Sequence, residues 1–350
     1  MPAYRKPIKK TRRTKKSKII TRTTKKYIGK VVLASLVLVA AFVFLGAYGT
    51  FKYLTKNFAS ASSPSSYSIQ TDAFPGIAYI VVQDLRADPI VLTKVEFIVL
   101  ARKSGGLIRY IVPLDYAVAV PGNFGTEEFS RLFALGALNS TQPLVGGTKL
   151  VEDTLFKLFG YKVDKYILVD VSLASTTDAL FSGESLLTPA NFKNISQVSQ
   201  ALKTDFSLKE LYDVNTFIHT LKMEQKIVHT GYDYFGDVDS ELRDITYESK
   251  VASEKKNIAI LNGTTYAGVA SFAARVVSNM GGRVVASDNT RTPYETSYII
   301  TSDPTSATVA FLTHTFNITN IISKTDAAGF LEGEIDRSDI TVIFGFDKTH

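Results

Sequence analysis

The apolar residues of this chain follow three regimes. Between Lys30 and Lys52 lie 21 uncharged residues, Val31 to Phe51, which at roughly 1.5 Å per helical residue reach about 31 Å, the thickness of a bilayer's hydrocarbon core. That run predicts one transmembrane helix over 31–51. The next stretch, 52–74, includes ASASSPSSYS at Ala59 to Ser68 and holds too little apolar surface to fold, so it reads as a Ser-rich stalk. From Ile77 onward, short β-branched and aromatic runs alternate with amphipathic stretches.

In that third regime IAYIVV, VLTKVEFIVL and LIRYIVPL read as strands, the last two joined by a turn at Ser104-Gly105-Gly106. Helices are expected at Thr126 to Leu138 and at Gly147 to Phe159, and Tyr166 to Val171 reads as a buried strand. Residues 174 to 201 are polar and weakly periodic, and no element is assigned to them. Ser207 and Glu210 form a capping-box pattern opening a helix that runs toward Met223. The acidic stretch Asp233 to Asp244 fails as a calcium loop, because Val238 stands where Gly is needed and Phe235 where an oxygen ligand is needed, so it reads as a solvated linker. A second unit opens with the strand NIAIL and the Asn262-Gly263 turn. Its helix carries Val269, Phe272, Ala273, Val276, Val277 and Met280 on one stripe. Strands RVVAS, SYIIT, NIISK and ITVIFGF, with a helix near Ala307 to Phe316, complete a small α/β domain expected to fold alone.

Charge changes the picture at one end only. The first 30 residues hold 13 Lys or Arg and no Asp or Glu, so the positive-inside rule keeps this tail cytoplasmic and sends everything after the span outward. Subtracting those 13 from the chain's 40 basic residues leaves 27 against 33 acidic, so the exported part is acidic although the whole chain has a pI of 9.2. The tail's basic run is explained by anionic lipid headgroups, and no nucleic acid is expected; a DNA-binding regulator using residues 1–30 is the outside alternative. A cleavable signal peptide ending at Ala59-Ser60-Ala61 is the rival for the apolar run. The run is longer than a signal h-region, which favours a retained signal-anchor.

The chain has no cysteine, which excludes disulfides, thiolate zinc sites and cysteine nucleophiles. Its histidines, His219, His229, His314 and His350, are too scattered to suggest a metal cluster. The Gly263 to Gly268 loop lacks both the Lys-Ser/Thr of a phosphate loop and dinucleotide-binding spacing, and reads as a tight strand-to-helix turn. No nucleophile elbow or zincin motif is present.

Tyr110 to Gly122, YIVPLDYAVAVPG, resembles the signature strand of the LytR-CpsA-Psr (LCP) family, in which Ser-Ile-Pro-Arg-Asp precedes a valine-rich strand ending in Pro-Gly. Arg131 to Asn139, Gly147 to Asp170 and Thr204 to Leu221 resemble the helices and strand that follow in that family, and Asn257 to Phe346 looks like the LytR C-terminal domain. The resemblance implies an α/β chain. It would comprise a cytoplasmic tail over 1–30, a membrane helix over 31–51, a stalk over 52–74, an α/β/α layered LCP-like domain over 75–250 and a small α/β LytR C-terminal-like domain over 255–347. It also implies a single-pass cell-membrane protein with extracytoplasmic domains, active in cell-wall biogenesis. Family members are phosphotransferases that move a glycopolymer from a polyprenyl pyrophosphate carrier onto peptidoglycan, a reaction that needs cations and commonly Mg²⁺ around the pyrophosphate.

Where the signature arginine should precede Asp115 there is Leu114, which neither donates a hydrogen bond nor carries charge. Two readings therefore compete. In a divergent transferase, Arg86, Arg131 and Asp115 would be catalytic, Arg86, Arg109 and Arg131 would bind the pyrophosphate, and Asp88 with Asp115 would hold Mg²⁺. In a non-catalytic envelope-binding or scaffold protein, each of these is an ordinary surface arginine or turn aspartate. For the C-terminal domain a binding role is expected, since it shows no constellation of titratable groups.

Overall fold

A computed structural model describes residues 30, 33, 35–49, 52, 76–101, 105–122, 124–182, 202–232 and 238–348. The chain divides into two compact units, Met1–Lys56 and Asn57–His350. In the first, residues 35–49 are helical with every side chain exposed. Among the described residues no helix is long and apolar enough to cross a membrane; several residues at both ends of the Val31 to Phe51 run lie outside them, as do 1–29 and 53–74.

The second unit contains two large sheets and a two-stranded ribbon. The first has the order β7-β6-β1-β2-β3-β8, built from β1 (Gly76–Val82), β2 (Leu92–Ala101), β3 (Gly106–Val112), β6 (Val163–Asp170), β7 (Lys203–Thr204) and β8 (Lys226–Thr230). Every residue of β1 is buried because both faces of the sheet are covered. One face carries Ile80, Phe97, Tyr110 and Leu168 against helices α1 (Phe129–Leu138) and α2 (Pro143–Phe159). The other carries Tyr79, Ile98, Leu107 and Val169 against α3 (Val171–Ser182) and α4 (Leu208–Thr220). The α1–α2 crossing is close because both partners are glycine there. A Cβ on Gly136 would sit 2.3 Å from the Gly146 carbonyl oxygen, and one on Gly146 would sit 2.3 Å from that of Gly136.

Several boundaries differ from the sequence reading for local reasons. Residues Thr126–Glu128 form β5, paired antiparallel with β4 (Ala117–Ala119), so α1 starts only at Phe129. Helix α2 begins earlier than expected, with Pro143 in its first turn, where a missing N–H is no loss. The Ser207–Glu210 capping box is formed reciprocally. Within the unassigned stretch 174–201, the residues up to Ser182 belong to α3 and 183–201 lie outside the described residues. The acidic segment is no linker beyond Asp237: Val238–Thr246 is helix α5, with Val238 and Leu242 in the core, and α6 (Ser249–Glu254) follows. Residues 233–237 lie outside the described ones.

The second sheet has the order β10-β9-β13-β11-β12, from β9 (Asn257–Asn262), β10 (Arg283–Asn289), β11 (Tyr298–Thr301), β12 (Ile321–Ser323) and β13 (Ile340–Phe344). Helices α7 (Val269–Asn279) and α8 (Ala307–Phe316) cover one face. The other face is thinly covered by a 3-10 turn over Lys324–Gly329 and the short helix α9 (Glu334–Arg337). This layer shares a core with the first sheet. Phe156 packs edge-on against Phe272 at 5.1 Å, and Arg275 joins Asp239 at 2.7 Å and the Leu158 carbonyl at 3.0 Å. The Asn262-Gly263-Thr264 turn is structural. The Asn262 side chain accepts from Thr264 N–H and donates to the Tyr266 carbonyl, and a Cβ on Gly263 would meet the Phe344 carbonyl oxygen at 2.8 Å.

Candidate functional site

Strands β1, β3, β6 and β8 run parallel, so their C-terminal ends share one edge, where an open α/β sheet presents its loops to ligands. Arg86 and Asp88 lie here on the β1–β2 loop, which Gln83 N–H closes onto the Val91 carbonyl at 2.9 Å. Asp170, the last residue of β6, accepts from Leu85 N–H at 2.6 Å, and Asp84 accepts from Arg86 N–H at 2.8 Å. The side chains of Arg86 and Asp88 are exposed.

Asp115 follows β3 on the same edge and is also exposed; its carboxylate accepts a hydrogen bond of 2.5 Å from the Tyr232 hydroxyl. That bond raises the Tyr232 pKa, with desolvation adding less. The start of α1 docks on the same turn, through Ser130 N–H to the Leu114 carbonyl (2.8 Å) and Phe129 N–H to the Tyr116 carbonyl (3.1 Å). Arg131 is thereby brought beside the Asp115 turn, but its guanidinium is 65% exposed and pairs with Glu127 at 3.3 Å. Leu114 is partly buried and packs on the main core with Leu85 and Tyr116. The position where the resemblance expects an arginine therefore serves as apolar packing.

Arg109 is separated from these groups. Along β3, Ile108, Tyr110 and Val112 face α1 and α2, whereas Leu107, Arg109 and Ile111 face the opposite side. There Arg109 forms a two-pronged pair with Glu96, Nε to Oε2 at 2.7 Å and Nη2 to Oε1 at 2.9 Å, and Lys94 Nζ reaches Glu96 Oε1 at 2.5 Å. Glu96 is fully buried. Asp178, on α3, closes the cluster at 3.3 Å from both Lys94 and Arg109. Helix α3 is pinned by the Tyr79 hydroxyl, which donates to the Ala174 carbonyl (3.1 Å) and shares a hydrogen bond with Thr177 (2.7 Å); burial pushes that phenol's pKa up. A cleft of about 450 Å³ opens over the cluster, lined also by Ser175 and Ser182.

Asp88 sits on the β1–β2 loop and Asp115 just past β3, the two strands that flank β2. Among the described residues no group of three or more His, Asp or Glu could hold a metal ion. Sequence reading also passed over Tyr232, Asp170 and the Lys94–Glu96–Asp178 set. The signal for the last was present. Two charged residues spaced by two inside an apolar strand, opposite an arginine across a Gly-Gly hairpin, must share one buried face.

No family model matches the sequence, and no curated protein matches it. Solved structures do resemble it. TagV of B. subtilis is 11% identical, with 47% of this chain and 87% of that chain covered and a TM-score of 0.38. The LytR-CPS2A-Psr family protein YwtF (TagT) with bound octaprenyl pyrophosphate lipid is 16% identical, covering 54% and 96%, with a TM-score of 0.35. TagT bound to LI-WTA is 16% identical, covering 51% and 87%, with a TM-score of 0.33. The structural neighbours of this chain are LytR-CpsA-Psr family proteins.

Proposed function

We propose that this chain is a membrane-anchored cell-envelope protein of LCP-like design that acts as an envelope-binding or scaffold protein without running the glycopolymer transfer. The observation that carries this reading is Leu114, packed on the core at the position where the family resemblance places an arginine. Transfer from a pyrophosphate depends on cations preset around the phosphate oxygens, and losing one such donor costs about 10²–10³ in rate. Arg109 cannot substitute, since it is committed to a buried carboxylate on the far face. A polyprenyl pyrophosphate glycolipid and peptidoglycan are the partners that the residue resemblance suggests. For the anchor, the support is the basic tail followed by a continuous apolar run, whose described portion exposes only uncharged side chains.

The test incubates the full chain, in detergent, with Mg²⁺ and a polyprenyl pyrophosphate-linked glycan, and measures glycan transfer and phosphate release. No turnover is expected, while co-sedimentation with peptidoglycan is retained. The transferase reading draws on one observation, the shared strand edge holding Arg86, Asp88, Asp115 and the docked α1 start. Mg²⁺-dependent transfer abolished by Asp115→Asn would establish that reading and retire ours.

A further inference from the structure

We infer that the Lys94–Arg109 cleft is a binding site for a small phosphate or phosphate ester, occupied in the free protein by the side chain of Asp178. The cleft lies on the face of the sheet opposite α1, apart from the strand edge considered above.

Burying this ion pair does not serve stability well. Replacing a buried Arg–Glu pair with apolar residues of similar volume is often neutral or stabilising, and most of this sheet face is apolar. Yet the pair stands here beside a second cation and an open cleft. The three N–H contacts to Glu96 are short, at 2.5–2.9 Å, whereas both cations hold Asp178 only at 3.3–3.4 Å. Glu96 thus orients the two cations, with the Arg109 guanidinium also resting 5.8 Å over the Phe181 ring. Among the described residues, Arg109 Nη1 has no acceptor. An arginine with a spare donor, beside a lysine whose longer contacts are to the displaceable Asp178, matches a tetrahedral oxyanion, which takes charge-assisted hydrogen bonds from Arg and a point charge from Lys. Asp178 is 37% exposed at the mouth, so it can swing toward solvent and yield its place. The hydroxyl-bearing wall formed by Ser175 and Ser182, and a volume of about 450 Å³, leave room for the organic part of an ester.

The experiment titrates the full chain, in neutral detergent, with inorganic phosphate and with glucose 1-phosphate by calorimetry. Asp178→Asn, and independently Asp178→Ser, should bind both at least tenfold more tightly than the wild type. Adding Arg109→Lys, which keeps the charge beside Glu96 but loses the planar fork, should remove at least tenfold. Asp336→Asn, an equal charge change on α9, should leave binding as in the wild type. The inference is overturned if the Asp178 variants bind no more tightly than Asp336→Asn, if the gain survives Arg109→Lys, or if only phosphatidylglycerol vesicles are bound.

Discussion

The strand edge and the charged cleft belong to the same sheet and hold their charges in opposite ways. At the edge, Arg86, Asp88, Asp115 and Arg131 are exposed and lightly tethered. In the cleft, a fully buried Glu96 is held by two cations at bonding distance. The difference teaches that a motif's position and a fold's electrostatic investment need not coincide. Exposed charges in water contribute little to stability and can be lost without structural cost, while a buried charge must keep its partners.

The largest effect should come from breaking the cleft. Arg109→Met leaves Glu96 buried with only Lys94 beside it, and unfolding in urea should show a loss of about 3–5 kcal/mol. Combining it with Glu96→Leu should recover most of that loss, since no charge is then stranded. If the single change costs less than the same substitution at Arg131, the contrast between the two regions fails.

Asp205 sharpens the comparison from within the interior. It is buried beside β6, accepting from Tyr166 N–H at 2.9 Å, and desolvation raises its pKa from 3.8 to about 6. The folded state therefore holds the extra proton between those values, so stability falls as pH rises from about 4 to about 6 and stays lower above. At about 1.4 kcal/mol per pKa unit the full effect is about 2–3 kcal/mol. Asp205→Asn, which keeps the acceptor oxygen, should flatten that slope and be the more stable protein at pH 8, as read from urea unfolding across pH.

A smaller effect is expected at the edge. Leu114→Arg should cost about 1 kcal/mol, the burial of a partly covered leucine, and should restore no transfer. Turnover gained by this single change would show that the edge lacks only one cation. The smallest effect concerns Tyr232: Asp115→Asn should bring its phenol back down toward the ordinary tyrosine range in an ultraviolet titration while leaving the unfolding midpoint unchanged.

What could be read from the sequence follows how local the cause is. Strands β1, β2, β3 and β6 of the first sheet, the strands of the second, the Ser207 cap, the stripe on α7 and the turn at Asn262-Gly263 each depend on residues within a few positions of one another, whereas β7 and β8 escaped the sequence reading. Element edges slipped where a distant partner decided them. Thr126–Glu128 is a strand because Ala117–Ala119 lies alongside, and the acidic segment becomes helix because Val238 and Leu242 find a core. Of the candidate site, the shared face of Lys94, Glu96 and Arg109 was implicit in the hairpin, but the closure of that cluster by Asp178 from α3 was not.

By itself the sequence determined the α/β order, the apolar run behind a basic tail, the absence of thiol chemistry and the misfit at Leu114, because periodicity, charge and residue type are properties of the chain. Only the tertiary structure decided that Leu114 is packing, that Arg109 faces away from Arg131, and that the two α/β layers share one core. Each of these depends on which face of a sheet a residue occupies and what covers it. Those are long-range facts, set by strand register and by helices more than sixty residues away in sequence.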